Sequence, residues 1–154
     1  MGPPAHQDLV ADLHALRRRG PTRVRGLPLA ALEAIVVLCG HDTAPVGGDL
    51  VESYRLAALE DVLRRAVGAL GGGNLATAAE YVFGLAQGTR DWPIGERRKQ
   101  AALVYGVSTE RFRKHHERLI VEQTAEAMLR LCLRVGLQRQ VDGEGHGLRP
   151  AGEV

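Results

Sequence analysis

Apolar positions along the chain fall into blocks with helical spacing, and the blocks are separated by glycine and proline. In QDLVADLHALRRRG, Leu9, Leu13 and Leu16 repeat at i, i+4 and i+7, which marks one face of a helix. Arg17, Arg18 and Arg19 suit its last turn, where cations meet the negative end of the helix dipole, and Gly20 suits its stop. LPLAALEAIVVLCG predicts a second helix, with Pro28 in the first turn, a stripe of Leu32, Ile35, Val36 and Cys39, and Gly40 at its end. HDTAPVGG reads as a loop. Between residues 49 and 70, Tyr54, Ala58, Leu59, Val62, Leu63, Ala66, Val67 and Leu70 recur with helical period until Gly71, Gly72 and Gly73 break the pattern. Asn74 is placed to cap LATAAEYVFGL, whose Leu75, Ala78, Ala79, Val82 and Phe83 face inward. After the loop AQGTRDWP, a helix covers about 94–105. Ser108 then caps a last, long helix running to about Val135 and stopped by Gly136.

Strand-like alternation and internal repeats are both missing from this pattern. The expected fold is all-α: a compact bundle of about six helices in one domain, residues 1–136, with a long C-terminal helix. The remainder, 137–154, is polar and glycine-rich and reads as a disordered tail or linker.

Composition supports this picture. A chain of 154 residues suits one domain and is long enough to bury a core without disulfides or metal. Aromatics make up only 4%, so that core must be built from Leu, Val and Ala, a composition that favours helix. Cys39 and Cys132 each sit in an apolar helical pattern and are expected to be buried free thiols. The N-terminus lacks the basic start and apolar run of a secretory signal, and no stretch approaches the roughly 18 apolar residues of a membrane span, so a cytoplasmic chain without membrane contact is expected.

The formal charge of +2 is too small to specify a partner, but its distribution is uneven. Residues 90–118 hold eight Lys or Arg against four Asp or Glu, and a second basic cluster comprises Arg17, Arg18, Arg19, Arg23 and Arg25. Residues 40–61 hold five acids and one arginine. Such asymmetry points to a basic face.

Catalytic patterns are lacking. GGGNL has no following lysine and is a helix break rather than a phosphate cradle, and neither GxSxG nor HExxH occurs. Cys39, His41 and Asp42 find no matching ligands nearby for a zinc site. Adjacent His115 and His116 point about 100° apart on a helix and do not share a metal. Glu117 and Glu122 read as solvated. The expectation is a non-enzyme with no metal and no cofactor.

The stretch RRKQAALVYGVSTERFRKHH, by contrast, resembles the helix-turn-helix motif of bacterial DNA-binding regulators over about residues 97–118. Ala102, Gly106, Val107 and Phe112 fall on the motif's small, turn-glycine and apolar positions. Alanine there lets two helices approach, glycine takes the positive φ of the turn, valine plugs the corner, serine caps the second helix and phenylalanine anchors it. The resemblance implies that the helix after Ser108 reads duplex DNA in the major groove through Thr109, Glu110, Arg113 and Lys114, while Arg97, Arg98, Lys99 and Arg118 hold phosphates. His115 departs from the motif, which prefers an apolar residue there. The final helix, with Leu119, Ile120, Met128, Leu131 and Val135, is expected to supply a homodimer surface. The alternative is an all-helical protein-interaction module in which Gly106 merely joins two packed helices and the arginines face solvent or an acidic protein partner.

Overall fold

The computed structural model describes residues 2–40 and 49–147. The loop HDTAPVGG, with His41 and Asp42, and the last seven residues of the tail lie outside the described residues. The chain is all-helical: α1 His6–Arg19, α2 Ala30–Leu38, α3 Asp49–Gly68, α4 Gly73–Val82, α5 Ile94–Tyr105, α6 Thr109–His115 and α7 Glu117–Gly147 are the seven helices among the described residues. None of these is long and apolar enough to cross a membrane.

The periodic stripes become the core. Leu9, Leu13 and Leu16 of α1, Leu32 and Ile35 of α2, and Val62, Leu63 and Ala66 of α3 are buried together with Ile120, Val121 and Met128 of α7. Helix α7 is the shared wall of the bundle, packed by α1, α2, α3, α4 and α6. Alanines allow the tightest approach: Ala78 and Ala79 of α4 and Ala101 and Ala102 of α5 are all buried where these two helices meet. Asp12 ties α1 to α2 by accepting the backbone N–H groups of Ala31 and Leu32 at 2.8 and 3.1 Å, so the first turn of α2 is capped from a neighbouring helix.

Three boundaries differ from those the sequence predicts. Asn74 does not cap α4: the helix already begins at Gly73, and Gly71, Gly72 and Gly73 all hold positive φ to reverse the chain after α3. The expected single helix after Ser108 is two. It breaks at His116 (φ −118°, ψ −38°), leaving α6 seven residues long. Finally, Gly136 does not stop α7, because a glycine ends a helix only by leaving helical geometry and Gly136 stays helical; residues 137–147, expected as disordered tail, continue the helix.

Candidate nucleic-acid interface

The α5–α6 junction follows from four residues. Gly106 takes the left-handed conformation (φ 68°, ψ 30°) that only glycine adopts cheaply. The Val107 N–H then reaches back to the Ala102 carbonyl at 3.1 Å, and the Gly106 N–H to that of Leu103 at 3.1 Å, closing the end of α5. Val107 packs on the core. Ser108 Oγ accepts the Arg111 N–H at 3.1 Å and starts α6.

Only Phe112 fastens α6 to the protein; it is fully buried, and every other residue of that helix is exposed. Behind it, Tyr105 and His116 stack with ring centroids 4.5 Å apart, and Phe112 lies 5.9 Å from His116, so the break at His116 is packed rather than loose. Burial pushes the Tyr105 phenol pKa up. The solvent side of α6 carries Thr109, Glu110, Arg111, Arg113, Lys114 and His115. Lys114 pairs with Glu110 at 3.2 Å one turn earlier. Arg111 and Arg113 make no ion pair among the described residues.

The expected phosphate contacts separate into two groups. Lys99 is exposed on α5, and Arg118 is exposed at the head of α7, held by Glu122 at 3.0 Å. Arg97 is not a surface cation. It is 1% exposed and its guanidinium donates to the carbonyls of Trp92 (3.0 Å), Arg17 (2.6 Å) and Val82. Buried and held by three backbone acceptors, it does not reach the surface where a phosphate would sit. Arg98 is half-buried, its Nε donating to both oxygens of Glu117 at 3.1 and 3.0 Å.

Glu117 is therefore the opposite of a solvated carboxylate. It is 4% exposed and also accepts from Arg17 Nη1 at 2.7 Å. The two basic clusters of the sequence meet here, three guanidiniums around one carboxylate. Burial works against the charge of Arg17 and of Arg97; Glu117 opposes that effect at both, while neighbouring arginines add to it. His14 Nδ1 lies 3.1 Å from Arg17 Nη2, and burial followed by Arg17 and Arg18 holds its imidazole pKa below the ordinary value. Arg18 and Arg118 both act on His14, so the exposed cations at the end of α1 and the head of α7 share this side of the molecule.

Two participants were missed in the sequence. Arg111 belongs to the exposed surface of α6, and Glu117 to the interior. The signals were present: Arg17 continues the Leu9–Leu13 face at i+4, Arg97 precedes buried Ala101 by four, and Glu117 precedes buried Val121 by four. Among the described residues no group of three or more His, Cys, Asp or Glu is placed to hold a metal. No family model matches the chain, and no curated protein or solved structure matches it.

Proposed function

We propose that the chain binds duplex DNA, with α5 and α6 acting as a helix-turn-helix pair and α6 entering the major groove. The observation that carries this reading is the exposure of α6 on all sides except Phe112, next to a left-handed Gly106 and a capping Ser108. A helix with its side chains is about 10–12 Å across, which suits a groove about 12 Å wide. Thr109, Glu110, Arg113 and Lys114 are the side chains assigned to base edges, and Arg111 joins them on exposure. Lys99, Arg118 and the half-buried Arg98 are left to the phosphates; Ser108 serves by holding the start of α6.

The test is binding of a fluorescent duplex followed by anisotropy over a range of salt. Each phosphate contact contributes roughly −0.9 to the slope of log affinity against log salt. Replacing Arg113 and Lys114 together by Ala is expected to weaken binding, and replacing Lys99 and Arg118 by Ala is expected to weaken binding and flatten the slope; the same change at Arg130 and Arg134, far along α7, is expected to leave both unaltered. Wild type without salt-dependent binding at low ionic strength removes the proposal.

A second reading, the helical interaction module, is favoured by a different observation. Leu133, Leu137 and Val141, spaced by four on α7, are each more than 60% exposed. Loss of the DNA result with retention of self-association through these residues selects it.

A further inference from the structure

The chain has two cysteines, 93 positions apart in sequence, and the fold brings them together. Cys39 is the residue that closes α2, and Cys132 lies on α7. Each is 7% exposed, each belongs to the buried core, and each thiol is near enough to perturb the ionisation of the other. Two further contacts fix the same juxtaposition. Leu38 and Cys132 line one open apolar pocket of about 350 Å³ together with Pro3, Leu133 and Leu137. A side chain at Gly40 would meet the Arg139 guanidinium of α7 at 3.0 Å. The end of α2, from Leu38 to Gly40, is thus seated along α7 from Cys132 to Arg139. A bundle core offers many apolar positions for two thiols; here both lie where the end of α2 meets α7, with Cys132 lining a pocket open to solvent.

We propose that Cys39 and Cys132 form a disulfide-forming dithiol, a reversible bridge between α2 and α7 made by exchange with a low-molecular-weight disulfide. Cys39 loses its proton and attacks one sulfur of the external disulfide, releasing one thiolate and leaving a mixed disulfide on Cys39. Cys132 then loses its proton and attacks the Cys39 sulfur, releasing the second thiolate. The protein gives up two electrons and two protons, and the external disulfide becomes two thiols. Burial raises both thiols above their ordinary range, Cys132 to about 12, so few thiolates are present at neutral pH and the exchange is slow. The bridge lies about 22 Å along α7 from Glu117 by helical rise, so it does not depend on the DNA-binding reading.

The experiment exposes the folded wild-type protein to oxidised glutathione, with the same protein in urea as the positive control for thiol reactivity. The folded protein is expected to lose both free thiols together, with a mass loss of two hydrogens and no retained glutathione. Its melting temperature is expected to rise, since the bridge constrains a long loop of the unfolded chain, and to return after reduction with dithiothreitol. Cys132→Ser is expected to stop at a glutathione adduct on Cys39. A stable adduct on the wild type, a disulfide-linked dimer, or folded-state thiols that persist while those in urea are consumed would each overturn the proposal.

Discussion

Arg17 and Glu117, 100 residues apart in sequence, meet at 2.7 Å with both side chains at least nine-tenths buried. The pair joins the last turn of α1 to the first turn of α7, and Arg98 of α5 adds a second donor to the same carboxylate. Removing that carboxylate would leave the buried Arg17 and the half-buried Arg98 without their shared acceptor, beside the buried Arg97. Glu117→Ala is therefore expected to destabilise the fold by about 3 kcal/mol or more, as breakage of a buried pair does. Glu122→Ala, which removes only the exposed partner of Arg118, is expected to cost under about 1 kcal/mol. Urea denaturation of the two variants checks this, and equal midpoints would return Glu117 to the surface.

His14 makes stability depend on pH. Its folded imidazole is disfavoured as a cation by burial first, then by Arg17 and Arg18, with Glu117 opposing. To accept from Arg17, Nδ1 must also be unprotonated. The folded pKa thus lies below the unfolded value of 6.5, and the unfolded chain takes up the proton first as pH falls. Stability is expected to be full above that unfolded value and to decline as the solution is acidified through the folded one. His14→Gln is expected to remove that part of the decline. Superimposable urea midpoints against pH for wild type and variant would show that His14 makes no contribution.

Gly106 contributes through its backbone alone. A Cβ built there meets nothing within 4 Å, so the cost of a side chain is that of left-handed φ and not of crowding. Gly106→Ala is expected to lose about 1–2 kcal/mol and Gly106→Asn less, because asparagine tolerates this conformation. Thermal melts of both variants test it. Gly84 provides the contrast: a Cβ there would stand 3.0 Å from the Pro21 ring, so its substitution is expected to cost more.

The bundle was legible because its core is aliphatic and periodic: α1 lies where Leu9, Leu13 and Leu16 placed it, and α5 spans the expected 94–105. The α5–α6 turn was legible through glycine and serine, whose roles are local. The interior ion cluster was not. Charge type suggests solvent, and only position on the helical wheel reveals that Arg17, Arg97 and Glu117 point inward; what neutralises them comes from other helices at long sequence range. The break at His116 was hidden for the same reason, since its ring is held by Tyr105 across the turn.

Self-association through α7 was expected to involve Leu119, Ile120, Met128, Leu131 and Val135; of these, Ile120 and Met128 are buried within the protein, Leu131 and Val135 are half-buried and Leu119 is exposed. The exposed apolar side chains of α7 are Leu119 near its start and Leu133, Leu137 and Val141 further along, and every described residue from Gly136 to Gly143 is exposed. A solvated helical end containing Gly136 and Gly143 gains little from propensity and needs packing to persist. A second copy is the expected partner, two-fold pairs being the commonest assembly. Leu137→Glu is expected to shift the mass in light scattering from dimer to monomer with an unchanged melting curve. A wild type that is monomeric at micromolar concentration rules out this dimer.

The arginines of the candidate interface divide by role, and stability and binding measurements separate them. Arg97 holds three carbonyls from α1, α4 and the loop before α5. Arg113 touches no carboxylate among the described residues and projects from α6 into solvent. Arg97→Met leaves those carbonyls without their donor, so a loss of about 3 kcal/mol is expected, in keeping with about 1 to 3 kcal/mol for each unsatisfied buried group and partial relief by water. Arg113→Ala is expected to leave the melting curve within about 0.5 kcal/mol of wild type. Its effect appears instead as weaker duplex binding, whereas the salt slope shallower by roughly one is expected of Lys99→Ala, which removes a phosphate contact. At a temperature where Arg97→Met remains folded, its salt slope is expected to match wild type, because a cation enclosed by backbone releases no counterions from DNA. A slope for Arg97→Met shallower than that of wild type would make Arg97 a phosphate contact after all.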